Sequence, residues 1–222
     1  MSSIANAARG RLTRASVAEA ARLLARRDAD LAAILRAHGP PPLWSRPAGF
    51  PTLVRIILEQ QVSLASARST YERADLTLGA VTPTRLVEAG ESGLRSVGFT
   101  RQKAGYCVAA AGAILDGSLS LEALGRASDA EARSALMRLK GIGPWSADIY
   151  LLMSMLRPDV WPTGDLALVS TVRSLKRLRG QPTAQRLESI AEAWRPYRSV
   201  AARMLWQQYL SGKGAGCSAS AR

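Results

Sequence analysis

The sequence predicts an all-α protein, and three observations predict it. Apolar residues recur with a period near 3.6 along most of the chain, and no alternating strand pattern stands out. Glycine and proline cluster between the periodic runs, as at Gly39-Pro40-Pro41-Pro42, Thr82-Pro83 and Gly143-Pro144. With 222 residues, 47% of them apolar, the chain can build one or two compact domains with a real core. The expectation is about ten helices with short loops.

Met1 to Ala15 reads as a disordered N-terminus. Ser16 opens the first helix, with Glu19 completing a capping box. Leu23, Leu24, Leu31, Ile34 and Leu35 carry its apolar face through a break near Asp28, up to the stop at Gly39. A loop containing Trp44 follows. Phe50 to Glu59 is apolar on so many positions that a central, buried helix is expected. Two amides, Gln60 and Gln61, stand at its end, and Ser63 caps the next helix. They are either an ordinary interhelical corner or a functional loop.

Thr82-Pro83 starts a short helix, Gly93 to Gly98 carries another, and Phe99 to Ala104 opens a long Ala-rich helix to Leu115. Gly117 to Gly125 forms a turn and a short helix, and Asp129 opens the helix that runs into Gly141. Pro144 suits the first position of a deeply buried helix to Leu156. After a loop punctuated by Pro158 and Pro162, Asp165 starts a helix with Leu168, Val172 and Leu175 on one face. Pro182 starts a further helix. Trp194 to Ser199 leads into the last one, and residues 212–222 read as a disordered tail.

The net charge of +13 and a pI of about 10.9 favour a polyanionic partner, most simply nucleic acid. A basic, arginine-rich composition without such a partner is the alternative. Two cysteines and one histidine exclude a four-cysteine iron–sulfur cluster and argue against zinc. No segment is long and uncharged enough to span a bilayer, and the N-terminus lacks an apolar signal core, so no membrane association and a cytoplasmic location are expected.

The stretch Leu139-Lys140-Gly141-Ile142-Gly143-Pro144-Trp145-Ser146-Ala147 joins two helical patterns by a tight Gly-x-Gly turn. Small residues let a phosphate approach, and the N–H groups of Gly143, Trp145 and Ser146 can face it at a helix N-terminus. A simple αα-corner has the same pattern. Asp165, one helix and one loop later, is either a helix cap or a catalytic carboxylate.

Together this turn and Asp165 resemble the helix–hairpin–helix and Gly/Pro–Asp signature of the DNA glycosylase superfamily, and more specifically the 3-methyladenine DNA glycosylase II family. Three other stretches agree: Phe50 to Ser63, Gly98 to Ala104, and Trp194 to Trp206. The resemblance covers about residues 20–210, in order. It implies a helical glycosylase domain of two lobes over residues 16–211, acting as a monomer on double-stranded DNA with alkylated bases. The chain starts too late for the N-terminal β domain of some relatives.

By the same resemblance, Asp165 is the catalytic aspartate, facing the cation that forms on the sugar as the base leaves. Gly141, Gly143, Trp145 and Ser146 grip DNA phosphate. Trp145 replaces the Schiff-base lysine of strand-cleaving members, which implies base removal without lyase chemistry. Trp145 and Trp206 line the base pocket, where electron-rich rings suit cationic, alkylated purines. Gln61 is the wedge that fills the gap left by the flipped nucleotide. No cofactor is required, although a Na+ or K+ ion held by the main-chain carbonyls of Met137, Leu139 and Ile142 is implied. Ile149 and Leu166 depart from the family, standing where some relatives have pocket aromatics. A non-catalytic damage-binding module and a glycosylase for uracil, hypoxanthine or an oxidised purine are the competing readings.

Overall fold

The structure, a computed structural model, describes the backbone of residues 10–218 and the side chains of residues 10–212. Every regular element among the described residues is helical. Contacts divide the chain into two units. One is built from both chain ends, through Ser45 and from Leu156 onward; the other is the continuous segment Arg46–Met155.

The first unit holds α1 (Arg14–Arg27) and α2 (Ala29–His38). After the other unit it resumes with α10 (Leu166–Leu175), α11 (Ala184–Ala191), a 3-10 turn (Glu192–Trp194) and α12 (Arg198–Ser218). The second unit holds α3 (Phe50–Glu59), α4 (Leu64–Leu78), α5 (Pro83–Ser96), α6 (Arg101–Leu115), α7 (Leu121–Arg126), α8 (Asp129–Met137) and α9 (Pro144–Met153). α5 comprises two helical runs, as expected between Pro83 and Gly98, separated where Gly90 leaves the helical conformation at φ 62°.

In the first unit α12 packs against α1, α2 and α10. Val200, Ala201, Ala202 and Met204 are fully buried there, the small residues letting neighbouring helices come close. In the second unit α3 is central, packing on α4, α6 and α9. Leu53, Val54, Ile56 and Ile57 are fully buried, which explains why its sequence is apolar on nearly every face. Burying four such side chains stabilises the unit by roughly 1.5–3 kcal/mol each relative to exposure.

Both expected chain ends need correction. The first helix starts at Arg14, not Ser16. Thr13 is its N-cap, and the capping box pairs Thr13 with Ser16 rather than Ser16 with Glu19. Leu12 is buried and its N–H donates to the carbonyl of Leu156 at 2.8 Å, so the ordered chain begins before residue 15. Hydroxyls at positions 13 and 16 can each cap, and buried Val17 favours the earlier start. At the other end α12 continues through Ser218, so residues 212–218 of the expected tail are helical. The remainder of both expected disordered ends, residues 1–9 and 219–222, lies outside the described residues.

Candidate active site

The Gly-x-Gly turn lies in the second unit, between α8 and α9. Its two glycines serve different ends. Gly141 has φ 88°, and a Cβ there would run into the Tyr106 ring, so the fold itself demands glycine. Gly143 has φ −91°, open to any residue, and a Cβ there would meet nothing within 4 Å. Neither conformation nor packing requires glycine at 143; the room it leaves faces outward. Gly143 is also the N-cap of α9 and offers no side chain to the helix N–H groups, while Pro144 follows at the first turn. Trp145 is half-buried on that turn, between exposed Pro144 and buried Ser146.

Gln60, which the sequence left as one amide of a corner, holds this turn. Its Nε2 donates to the Gly141 carbonyl at 2.8 Å and to Ser146 Oγ at 2.9 Å. Lys103 closes the end of α3 behind it, donating from Nζ to the carbonyls of Leu58 at 2.6 Å and Gln60 at 2.9 Å. Burial pushes the Lys103 ammonium below the ordinary lysine range. Gln61 is exposed and left-handed, at φ 57°, a conformation that costs a non-glycine residue about 1–2 kcal/mol. Gln61, Gln102, Tyr106, Gly141 and Gly143 line one open cavity of about 430 Å³. The structure therefore brings the expected wedge and the expected phosphate turn to a single surface. At the end of α8, the Leu139 carbonyl accepts from Ile142 N–H at 3.1 Å, and Met137 is half-exposed.

Asp165 lies in the first unit. Its N–H donates to the Pro162 carbonyl at 3.3 Å, closing the loop, and Gly164 turns the chain at φ 84°. The side chain caps α10: Oδ1 accepts from Leu168 N–H at 3.0 Å. The same oxygen accepts from Trp206 Nε1 at 3.1 Å. Asp165 stays partly exposed, whereas Trp206 is only 8% exposed. Trp206 thus touches the candidate carboxylate directly. Its ring also lies 6.4 Å from that of Trp44, edge-on at 64°.

The rival acids are engaged elsewhere. Asp148 is buried, with Oδ1 and Oδ2 at 2.9 and 3.0 Å from the Arg133 guanidinium. Asp159 pairs with Arg195 at 2.5 Å and Arg198 at 3.0 Å, and it accepts from Arg198 N–H. Both read as structural ion pairs. Of the two departures, Ile149 is buried and Leu166 is 78% exposed.

The helical fold, the Gly-x-Gly turn and the capped Asp165 are the features by which the chain resembles a class of DNA repair protein. The chain belongs to the HhH-GPD superfamily of base excision DNA repair proteins, whose family model matches residues 54–196. A Bacillus subtilis DNA-3-methyladenine glycosylase is 30% identical over 62% of this chain and 41% of its own length. A second Bacillus subtilis relative is 27% identical over 80% of this chain. The chain spans 65% of that relative, so it covers less than two thirds of either. Among solved structures, the Schizosaccharomyces pombe 3-methyladenine DNA glycosylase in complex with abasic DNA is similar at a TM-score of 0.79. It is 26% identical, over 85% of this chain and 95% of its own. A DNA-3-methyladenine glycosidase from Bacillus halodurans is similar at 0.76, with 27% identity over 86% and 88%.

Proposed function

We propose that this chain is a monofunctional DNA glycosylase that flips alkylated purines, 3-methyladenine and 7-methylguanine, out of duplex DNA and excises them by hydrolysis. One observation carries the reading: Asp165, in a family whose relatives bear glycosylase names, is partly exposed yet fixed by two donors on one oxygen. Such fixation holds a negative charge where a sugar cation develops, without reorganisation in the transition state. The C1′–N bond breaks, its electron pair leaves with the base, and water adds to C1′ and loses a proton. An alkylated purine carries a positive charge in DNA and departs neutral, so strong acid catalysis is unnecessary.

Trp145, half-buried at the start of α9, is the ring that the resemblance assigns to the extruded base. It has no amine for a Schiff base, which supports hydrolysis without strand cleavage. Gln61 fills the vacated stack, and its exposure and left-handed backbone support that role. Gly141, Gly143, Trp145 and Ser146 receive phosphate through main-chain N–H groups. Neutral carbonyls of Met137, Leu139 and Ile142 suit a monovalent cation, which would add positive charge beside that phosphate. No other cofactor is part of the proposal. The net charge of +13 supports a DNA partner met as a monomer.

The decisive experiment measures base release from methylated duplex by the wild type and Asp165→Asn side by side. The variant should bind DNA and release base at least about 100-fold more slowly; full release by it ends the assignment. The phosphate grip has its own test. Gly143→Ala should weaken duplex binding about tenfold and keep the melting temperature, because its Cβ enters only outside space. Gly141→Ala should destabilise the fold by about 2–4 kcal/mol through its clash with Tyr106 and its positive φ. Unaltered DNA affinity in Gly143→Ala would remove the turn from the interface.

A further inference from the structure

Helix α12 fixes the Trp44 loop at two points. Arg203, fully buried, donates from Nε to the Leu43 carbonyl at 2.8 Å and from Nη1 to the Ser199 carbonyl at 3.0 Å. Less than one turn later, Trp206 sets its ring edge-on against Trp44 and binds Asp165 with its indole N–H. A buried cation thus holds the residue before Trp44, and the ring that holds the candidate catalytic acid sets the plane of Trp44 itself. Three consecutive prolines, Pro40 to Pro42, stiffen the approach.

Trp44 is held in a costly state. Its φ is 43°, an outlier for a bulky side chain that persists only where the surroundings impose it. Its ring stays half-exposed, while the other tryptophans of its unit, Trp161, Trp194 and Trp206, are buried. An edge-on pair covers at most one face of either ring, so the contact with Trp206 orients Trp44 without enclosing it.

We propose that Trp44 is a specificity-determining residue of the candidate active site, offering an aromatic face to a cationic purine bound at the Asp165 carboxylate. The inference rests on the glycosylase reading and adds a recognition element to it. Trp206 is the shared part: it holds the carboxylate for the sugar and orients a ring for the base. A cationic base gains from an aromatic face what its neutral parent does not.

The test is equilibrium binding of the full chain to two duplexes that differ by one methyl group. One contains 2′-fluoro-7-methyldeoxyguanosine and the other 2′-fluorodeoxyguanosine. The fluorine slows glycosidic cleavage, so affinity is read on an intact base. Wild type should prefer the methylated duplex. Trp44→Leu should lower that preference about tenfold, and Trp44→Phe should keep it within about threefold, since phenylalanine restores a π-face. Partial unfolding of a variant lowers both affinities alike and cancels in the ratio. Unchanged preference in Trp44→Leu, equal loss in Trp44→Phe, or no preference in the wild type overturns the proposal. Base release from ordinary methylated duplex by the wild type tests the glycosylase reading separately.

Discussion

Two aspartates of the first unit, Asp28 and Asp165, cap helices and accept a hydrogen bond from a tryptophan. Asp28 caps α2 through the N–H groups of Asp30 and Leu31 and accepts from Trp194 Nε1 at 2.9 Å. Asp165 caps α10 through Leu168 and accepts from Trp206 Nε1. At Asp28 a lysine joins these donors. Lys176 donates to both oxygens of Asp28, at 3.0 and 2.8 Å, and pairs with Asp30 at 2.8 Å. Burial opposes the charge on Asp28, but the bonds from Lys176 and Trp194 outweigh it and hold its carboxyl below the ordinary aspartate range. A capping role therefore does not separate a structural aspartate from a reactive one. Asp28 is closed by a lysine inside the fold; Asp165 is fixed by a helix end and an indole at a partly exposed position.

Asparagine substitutions should split the pair most widely. Asp165→Asn should slow base release at least about 100-fold, the scale of losing one fixed electrostatic group. Its stability should change by less than about 0.5 kcal/mol, because asparagine caps as well as aspartate. Asp28→Asn should show the reverse: unchanged release per folded molecule and a loss of about 1 kcal/mol, because Lys176 keeps Asp30 as its only carboxylate of the pair. Single-turnover release and denaturant melts read both, and matching losses of rate would erase the distinction.

The tryptophans sharpen it at the next level. Trp206→Phe removes one donor from Asp165 and should slow release at least about tenfold, consistent with roughly 1.5–3 kcal/mol for a hydrogen bond to a charged group. Trp194→Phe should lower stability and leave the rate alone. A smaller effect concerns acid. The folded-state pKa of Asp28 is depressed, so its stabilisation is present above the ordinary aspartate value of 3.8 and is lost as pH falls through the folded value. Between pH 5 and 3 the wild type should therefore lose melting temperature faster than Asp28→Asn. Parallel melting curves would mean that the Lys176 pair contributes little.

Much of this was legible in the sequence, for physical reasons. Helical period and Gly/Pro punctuation marked α3, α6 and α9, because burial and backbone geometry leave local traces. The turn, and Asp165 as a helix cap, were legible because glycine, proline and a capping acid mark corners and helix starts locally. Gln60 was half legible: two amides after a buried helix were unusual, but the bonds to Gly141 and Ser146 span 81 and 86 residues. The role of Trp206 in holding Asp165, and the partnership of Trp44 with Trp206, were not legible. Both depend on side-chain directions across distant helices, and a tryptophan in a proline-rich loop carries no periodic signal. The start of α1 was misplaced because two neighbouring hydroxyls could each cap it.

The division of the chain into a continuous segment and a unit made from both ends has a consequence for synthesis. Residues 46–155 form one contiguous unit, so its helices are all made before the ribosome reads the remainder. Helices α1 and α2 are made first and must wait longest. Asp28 meets Lys176 only 148 residues later, and Trp194 only after 166. The N-terminal helices thus spend most of translation without their final neighbours, and a chain interrupted before α12 would leave exposed the sides of α1 and α2 that α12 covers.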